Sequence, residues 1–399
     1  MDRKRTVLVG PPRARKRIAF ACFSRSLGGL ELSTIRLAVA MSERGNTVLL
    51  IVPPGSPLQQ RAVEAGVEAA VLEPRWKYGD LMTAFHLGRL LRDNRVDVLL
   101  LMQSKDIHLA SIASLIAKNT KLVFYQQMDS GYNKRDPFHT LFYSRLSRWI
   151  SLTENMKSNV QAFTRVPDGK VDVIPLGVDL RRFDPAKHDR SRARAFFGLP
   201  EKGPLIGVLG RLDPQKGQEV FLRAVPALVK KHANAHFVIA GDETAGEADY
   251  KNSLERLCKN LAIREHVTFL PFTNDVPRLL AALNIVVLPS YFETYGLVVI
   301  EAMAMERPVI ATNAGGVPEI ITDGRTGILV EPRDSVSLAR AIHRLLTSAP
   351  LRVRITRLAR EEVLRRFDFD LCVDRLLTSL DAMEETPRSF GGHAPRLDA

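Results

Sequence analysis

The sequence predicts an α/β protein made of two Rossmann-like, doubly wound domains that face each other across a central cleft. Three observations carry this expectation. Short runs of β-branched and apolar residues alternate with amphipathic stretches of helical length, the pattern of a parallel sheet covered on both faces. That alternation runs once from Arg17 to Leu152 and restarts at Leu205. Between the two passes, residues 170–189 carry Pro175, Gly177 and Pro185 with no helical period, so the centre of that segment reads as an interdomain linker.

In the first half, Arg17 to Phe23 (RIAFACF) reads as a buried strand, followed by a Gly-containing loop and a helix over 30–43. Strands are expected at 47–52, 67–72, 96–102, 122–125 and 149–152, with helices between most of them. In the second half the expected strands are 205–209, 236–240, 267–270, 285–288 and 308–311, with a well-formed amphipathic helix at 219–231. Two last helices, 351–367 and 368–385, precede a Gly/Pro-rich tail at 386–399 that is expected to be disordered. A basic tail occupies 1–16, the domains divide near 180, and 368–385 forms a separate C-terminal helix. The length of 399 residues, too great for one comfortable core, agrees with two domains.

Ligands of such sheets bind beyond the carboxyl ends of strands, so the post-strand loops are where chemistry is sought. In 210–217 (GRLDPQKG), Arg211 offers a planar fork and Lys216 a compact charge, together able to neutralise a diphosphate. An ordinary turn with surface cations would read the same, and the loop is no P-loop, because Lys216 is not preceded by Gly or followed by Ser/Thr. In 290–297, Glu293 precedes a flexible helix start at Thr294, Tyr295, Gly296 and Leu297, whose N–H groups can receive phosphate. Glu301 follows two turns into an apolar helix; a carboxylate there suits a vicinal diol. Acids near a helix start also complement its dipole, which accounts for Glu293 but not for Glu301. Gly315-Gly316-Val317-Pro318-Glu319-Ile320 and the pair Gly28-Gly29 are each weak signals alone. No G-x-G-x-x-G fingerprint appears, so a nicotinamide or flavin cofactor is poorly supported, and no Asp-x-Asp or similar cluster suggests a metal.

Taken together, GRLDPQKG, the pair Glu293 and Glu301, GGVPEI, VIPLGVDLRRF at 173–183 and LGGLE at 27–31 resemble the family 4 retaining glycosyltransferases of the GT-B fold. The likeness spans roughly residues 17–367 and is closer in the second half. It implies a nucleotide-diphosphate sugar held mainly by 181–367, and an acceptor-side domain at 17–180. Arg211 and Lys216 would bind the diphosphate, helped by N–H groups at Gly296, Leu297 and the Gly28–Gly29 loop. Glu301 would hold the ribose diol, and Glu293 the hydroxyls of the transferred sugar. The family needs no divalent metal and no cofactor. It commonly has His in a loop that here reads Phe124-Tyr125-Gln126-Gln127-Met128-Asp129, so the acceptor-side group is open among His108, Gln127, Asp129 and His139. It also often has Asp where Asn284 stands, to which no functional change is attached.

Lys and Arg exceed Asp and Glu by 13, which favours anionic partners. Basic clusters lie at 1–17, 181–194 and 352–366. Solvated faces explain much of this, yet the family's acceptors are often lipid-linked or lipopolysaccharide precursors, so association with an anionic membrane surface is expected. Nucleic acid is not, since no helix-turn-helix or aromatic-basic motif is present. Cys22, Cys258 and Cys372 are too few and too scattered for a disulfide framework or zinc site, and no apolar run suits a signal peptide or membrane span. A cytoplasmic protein is expected, peripheral on the inner face of the cell membrane. The expected activity is transfer of a sugar from a UDP-sugar to a lipopolysaccharide, polysaccharide or glycolipid. The alternatives are a sugar-nucleotide epimerase or synthase on the same scaffold, or a non-catalytic sugar-binding protein.

Overall fold

A computed structural model describes residues 15–128, 133–243 and 249–383. The first sheet has seven parallel strands, β1 (Arg17–Ala21), β2 (Thr47–Val52), β3 (Glu68–Val71), β4 (Val98–Leu101), β5 (Lys121–Tyr125), β6 (Arg148–Ser151) and β7 (Val171–Val173), in the order β3-β2-β1-β4-β5-β6-β7. Among the helices between them, α1 (Gly29–Glu43), α3 (Leu81–Asp93), α4 (Ile107–Ala113), α5 (Pro137–Tyr143) and α6 (Glu154–Phe163) matter most for the site, while α2 (Pro57–Glu64) joins β2 to β3. The central strands β1 and β4 are buried on both faces, as their unbroken apolar runs require.

The second sheet has six parallel strands, β8 (Leu205–Leu209), β9 (His236–Ala240), β10 (Val267–Leu270), β11 (Ile285–Leu288), β12 (Val309–Thr312) and β13 (Ile328–Val330), in the order β10-β9-β8-β11-β12-β13. Its helices are α7 (Arg190–Phe196), α8 (Gln218–Val229), α9 (Tyr250–Asn260), α10 (Val276–Ala282), α11 (Leu297–Ala304), α12 (Ser335–Thr347) and α13 (Ala349–Arg366). Strand order reverses between β1 and β4 in one sheet and between β8 and β11 in the other. Those reversals open crevices at the carboxyl edges, where the loops carrying Arg211, Lys216 and Glu293 lie.

Two short strands were not legible as such. β7 is three residues long and falls inside the segment read as linker, and β13 is equally short with no alternation to betray it. The chain crosses between domains twice. Val178 donates to Phe367 and accepts from Phe369, so the outgoing and returning segments run side by side. A Cβ at Gly177 would stand 2.4 Å from Phe369 Cα, which only glycine avoids.

After this second crossing, α14 (Phe369–Ala382) packs back on the first domain. Arg44, which caps the end of α1, pairs with Asp370 and Asp374 at 2.9 Å each, Lys16 with Asp381 at 3.3 Å, and Ser379 donates to Asp172. The helix is therefore part of the first domain and no separate unit. Lys16 is buried, which corrects its placement in a basic tail; residues 1–14 and the tail at 386–399 lie outside the described residues. Part of the expected basic charge is buried or already paired. Arg194 is buried and donates to the carbonyls of Ala282 and Glu201, and Arg357, Arg365 and Arg366 are paired along α13 with Glu361 and Glu362.

Candidate active site

The second domain's crevice is built from three loops that hold one another. Gly217 has φ +69°, and a Cβ there would meet Pro289 O at 2.0 Å, so the turn before α8 can lie flat against the loop after β11. Tyr291 N–H then donates to Gln215 O, and the buried Gln218 donates to Arg211 O. The Gly315–Gly316 pair lies under Glu293 and Thr294. A Cβ at Gly315 would strike Glu293 O at 2.0 Å, and one at Gly316 would strike Thr294 O at 2.5 Å. This glycine pair thus serves close packing beneath the carboxylate loop, a role its sequence did not single out.

Glu293 and Lys216 are joined. Lys216 Nζ lies 2.7 Å from Glu293 Oε2, and Ser290 Oγ donates to the same oxygen at 3.2 Å. Ser290, unmarked in the sequence, is fully buried and held by Thr312, which donates to its carbonyl. The Arg211 guanidinium is largely exposed at the mouth, 4.0 Å from Asp213. Helices α8 and α11 both begin on a left-handed glycine, Gly217 and Gly296, and neither receives a side-chain cap. Most other helices here do, from Ser56, Asp80, Thr153 or Asp334, for example. Val299 N–H donates to Gly296 O, and the N–H groups of Leu297 and Val298 receive no side-chain cap, with the positive dipole end behind them.

The side chain of Tyr295 points away from the crevice mouth into the domain junction. Its ring is buried and its hydroxyl donates to Leu176 O, so it ties the loop before α11 to the crossing segment. Glu301, one turn into α11, is partly exposed; burial pushes its carboxyl up to about 7, against the opposing pull of the Arg36 and Arg182 charges. Arg36 belongs to α1, so the carboxylate faces a cation of the first domain, a neighbour that linear order does not reveal. Asn284 accepts from Arg194 at 2.7 Å and from Leu205 N–H at 2.9 Å, a structural task at the base of β11.

On the first domain the sequence candidates separate. Gly28 N–H donates to the buried carboxylate of Glu31 at 2.7 Å, so it is not free to receive a phosphate. His108 is buried against Tyr78, Phe138 and Phe142, its two ring nitrogens are buried without a partner, and burial lowers it to about 4, which favours the neutral imidazole. His139 is held by Asp136, the cap of its own helix, at 2.7 Å. Gln127 accepts from Ser33 of α1 at 2.7 Å and keeps a buried amide nitrogen without a partner. Asp129 lies outside the described residues.

The structure adds Asp106, in the turn after β4 at the first sheet's reversal point. It is 4% exposed, one carboxylate oxygen has no partner, and burial raises it to about 7. No motif marks it; a single acid between Lys105 and an apolar helix looks like a surface residue. Across the cleft, Glu319 accepts from Glu154 N–H at 2.7 Å and Asn155 N–H at 2.8 Å, capping α6 of the first domain from the second. Among the described residues, no group of three or more His, Cys, Asp or Glu could hold a metal, and no helix is long and apolar enough to cross a membrane.

Two parallel-sheet α/β domains with post-strand loops meeting over one cleft define the GT-B class. Residues 189–362 match the family Glycosyl transferases group 1, and residues 27–182 match Glycosyltransferase Family 4. The chain belongs to this glycosyltransferase family. It is 36% identical over 238 residues to a D-inositol 3-phosphate glycosyltransferase of Salinispora arenicola, an alignment covering 57% of this chain and 52% of that protein. The chain spans about half the length of the curated relatives it matches. A glycosyltransferase structure from Rickettsia africae superposes with a TM-score of 0.87 at 22% identity, covering 94% of this chain and all of the other. Anabaena HepE, crystallised with UDP and glucose, superposes at 0.79 with 24% identity, covering 92% and 100%. These two likenesses establish a common fold.

Proposed function

We propose that the protein is a retaining, metal-independent glycosyltransferase that moves a sugar from a UDP-sugar to a lipopolysaccharide, polysaccharide or glycolipid acceptor. The observation that carries this reading is the joined pair Lys216–Glu293 beside the uncapped start of α11 at the second sheet's reversal point. Such a site offers a cation and N–H groups to a diphosphate and a carboxylate to sugar hydroxyls, within one ligand's reach. The carbon–oxygen bond to the sugar breaks through an oxocarbenium-like state, and negative charge gathers on the departing diphosphate. Lys216, Arg211 and the N–H groups at Leu297 stabilise that charge, with no reorganisation required at the moment of reaction. Glu293 orients the transferred sugar, Glu301 the ribose diol. On the acceptor side, Asp106 and the free amide of Gln127 are the groups left to bind hydroxyls.

UDP is supported by the HepE neighbour crystallised with UDP, and a lipopolysaccharide acceptor by the neighbour WaaG, a glycosyltransferase involved in lipopolysaccharide biosynthesis. The basic balance of the chain supports peripheral association with an anionic membrane at the cytoplasmic face. A thermal-shift panel of UDP, GDP, ADP and their sugars tests the donor assignment, because a ligand that binds only the folded state raises its stability. A UDP-sugar is expected to give the largest rise. A flat panel would overturn the reading.

A further inference from the structure

Helix α3 breaks the rule for a surface helix. Its inner residues Thr83, Ala84, Leu87 and Leu91 are buried in the domain. The outward side of its first two turns nevertheless carries Leu81, Met82 and Phe85, 65%, 66% and 46% exposed. A solvated helix places polar residues there, and a helix apolar on both sides has a second surface to cover. The preceding loop adds exposed Trp76 and Tyr78. Tyr78 meets Phe138 of α5 with ring centroids 5.6 Å apart, and exposed Leu141 follows one turn later, so the apolar surface of this loop reaches a second helix.

Cations rim this patch. Lys77 lies over the Tyr78 ring at 5.1 Å and Arg89 over Phe85 at 5.7 Å, while Arg75 and Arg135 are exposed beside them. Only two acids occur in residues 75–92 and 133–145. Asp80 is buried as the cap of α3, and Asp136 is engaged by His139. An apolar centre containing Trp, Tyr and Phe, ringed by Lys and Arg, has the chemistry of a bilayer interface, where aromatic rings sit at headgroup depth and cations meet anionic lipid. A second copy of this chain fits poorly, because two identical rims would bring like charges together.

The patch also lies where it would matter. In a parallel α/β domain every helix begins at the carboxyl edge of the sheet, so the loop 72–80 and the first turns of α3 and α5 form the cleft rim. Arg25 of the β1–α1 loop pairs with Glu73 on that same rim. We propose that this surface docks the first domain on an anionic bilayer, with the cleft opening toward acceptors carried in the lipid. The proposal rests on the membrane association put forward above and gives it a place other than the basic clusters, several of whose arginines are already paired.

The protein carries its own reporter. It has two tryptophans, and Trp149 is wholly buried, so a lipid-dependent change in emission belongs to Trp76. The full chain is mixed with phosphatidylcholine vesicles with or without phosphatidylglycerol, and both flotation and tryptophan emission are followed. Flotation with the anionic vesicles is expected, with a blue shift and quenching by brominated lipid. Lys77→Gln should weaken vesicle binding about fivefold, an effect that fades at high salt. The pair Leu81→Ser and Leu141→Ser should weaken it about tenfold or more, with an unchanged circular dichroism spectrum. Absence of flotation at low salt overturns both this proposal and the membrane reading. Flotation with a silent Trp76 and unaffected variants overturns the proposed surface and leaves the membrane reading standing. Lipid-free oligomers that Leu81→Ser disperses would assign the patch to a second copy and overturn the proposal as well.

Discussion

Replacing Glu293 by Gln should tighten the binding of free nucleotide diphosphate while nearly abolishing transfer. Lys216 Nζ and Glu293 Oε2 are 2.7 Å apart, so a diphosphate must share a cation that already has a counter-charge. Two unit charges at that distance attract by 332/(20 × 2.7), about 6 kcal/mol, at an effective dielectric constant of about 20. The side chains are 26% and 14% exposed, and desolvation and ordering offset most of that attraction, leaving roughly 1 kcal/mol net. Gln keeps an oxygen for Ser290 and Lys216 but removes the charge. Affinity for UDP should therefore rise about fivefold, and less in concentrated salt. The contact with the transferred sugar is lost at the same time, so turnover should fall on the order of 10²-fold. Calorimetric titration of the nucleotide, set beside initial rates with the full donor, reads both quantities. Lys216→Ala should lose affinity and rate together. If Glu293→Gln weakened UDP as severely as Lys216→Ala, the carboxylate would be a scaffold for the cation and its assignment to the sugar would be wrong.

The carboxyl of Glu301 is raised from 4.5 to about 7, so its acceptor form is lost as pH falls through neutrality; nucleotide affinity should drop below pH 7 in the parent and far less in Glu301→Gln, by titration across pH 6 to 8.5. Asp106 is likewise raised from 3.8 to about 7, so the stability its neutral form supplies is present below pH 3.8 and lost as pH rises toward 7. Asp106→Asn should thus raise the unfolding temperature at pH 8 by about 5 °C or more while lowering transfer, and the stability gain should vanish toward pH 4 in differential scanning calorimetry. Arg211 is exposed and is proposed to meet the departing diphosphate, so Arg211→Ala should reduce turnover by about 10²-fold with little change in melting temperature. Transfer should persist in excess EDTA and keep the donor's anomeric configuration; rescue by magnesium after complete loss, or an inverted product in the anomeric proton coupling, would contradict the proposed chemistry.

The long buried strands were legible because five or six consecutive apolar residues between Gly- or Pro-containing turns admit few other readings, as at 47–52 and 205–209. β7 and β13 escaped because three residues carry no period. Lys216 and Glu293 were legible as residue types after strands, but not as partners. Their 2.7 Å contact depends on Gly217 and Gly315 letting three loops close together, a distance no linear spacing encodes. His108 misled for a related reason: its aromatic neighbours Tyr78, Phe138 and Phe142 come from separate segments, so its burial was invisible in the chain order. Asp106 was missed on the same account. The environment that makes a lone acid notable is supplied by β1 and β4, which the topology brings together.

The return of α14 to the first domain has a consequence for anyone recombining these proteins. The first domain is discontinuous, closed by a segment that arrives only after the second domain is complete. Exchanging donor specificity by joining one protein's front half to another's back half would also exchange α14, stranding Arg44, Lys16 and Asp172 without their partners Asp370, Asp374, Asp381 and Ser379. A transplant cut at the paired crossings, near 178 and 367, would instead move the second domain as an inserted cassette and keep the receiving surface for α14 intact.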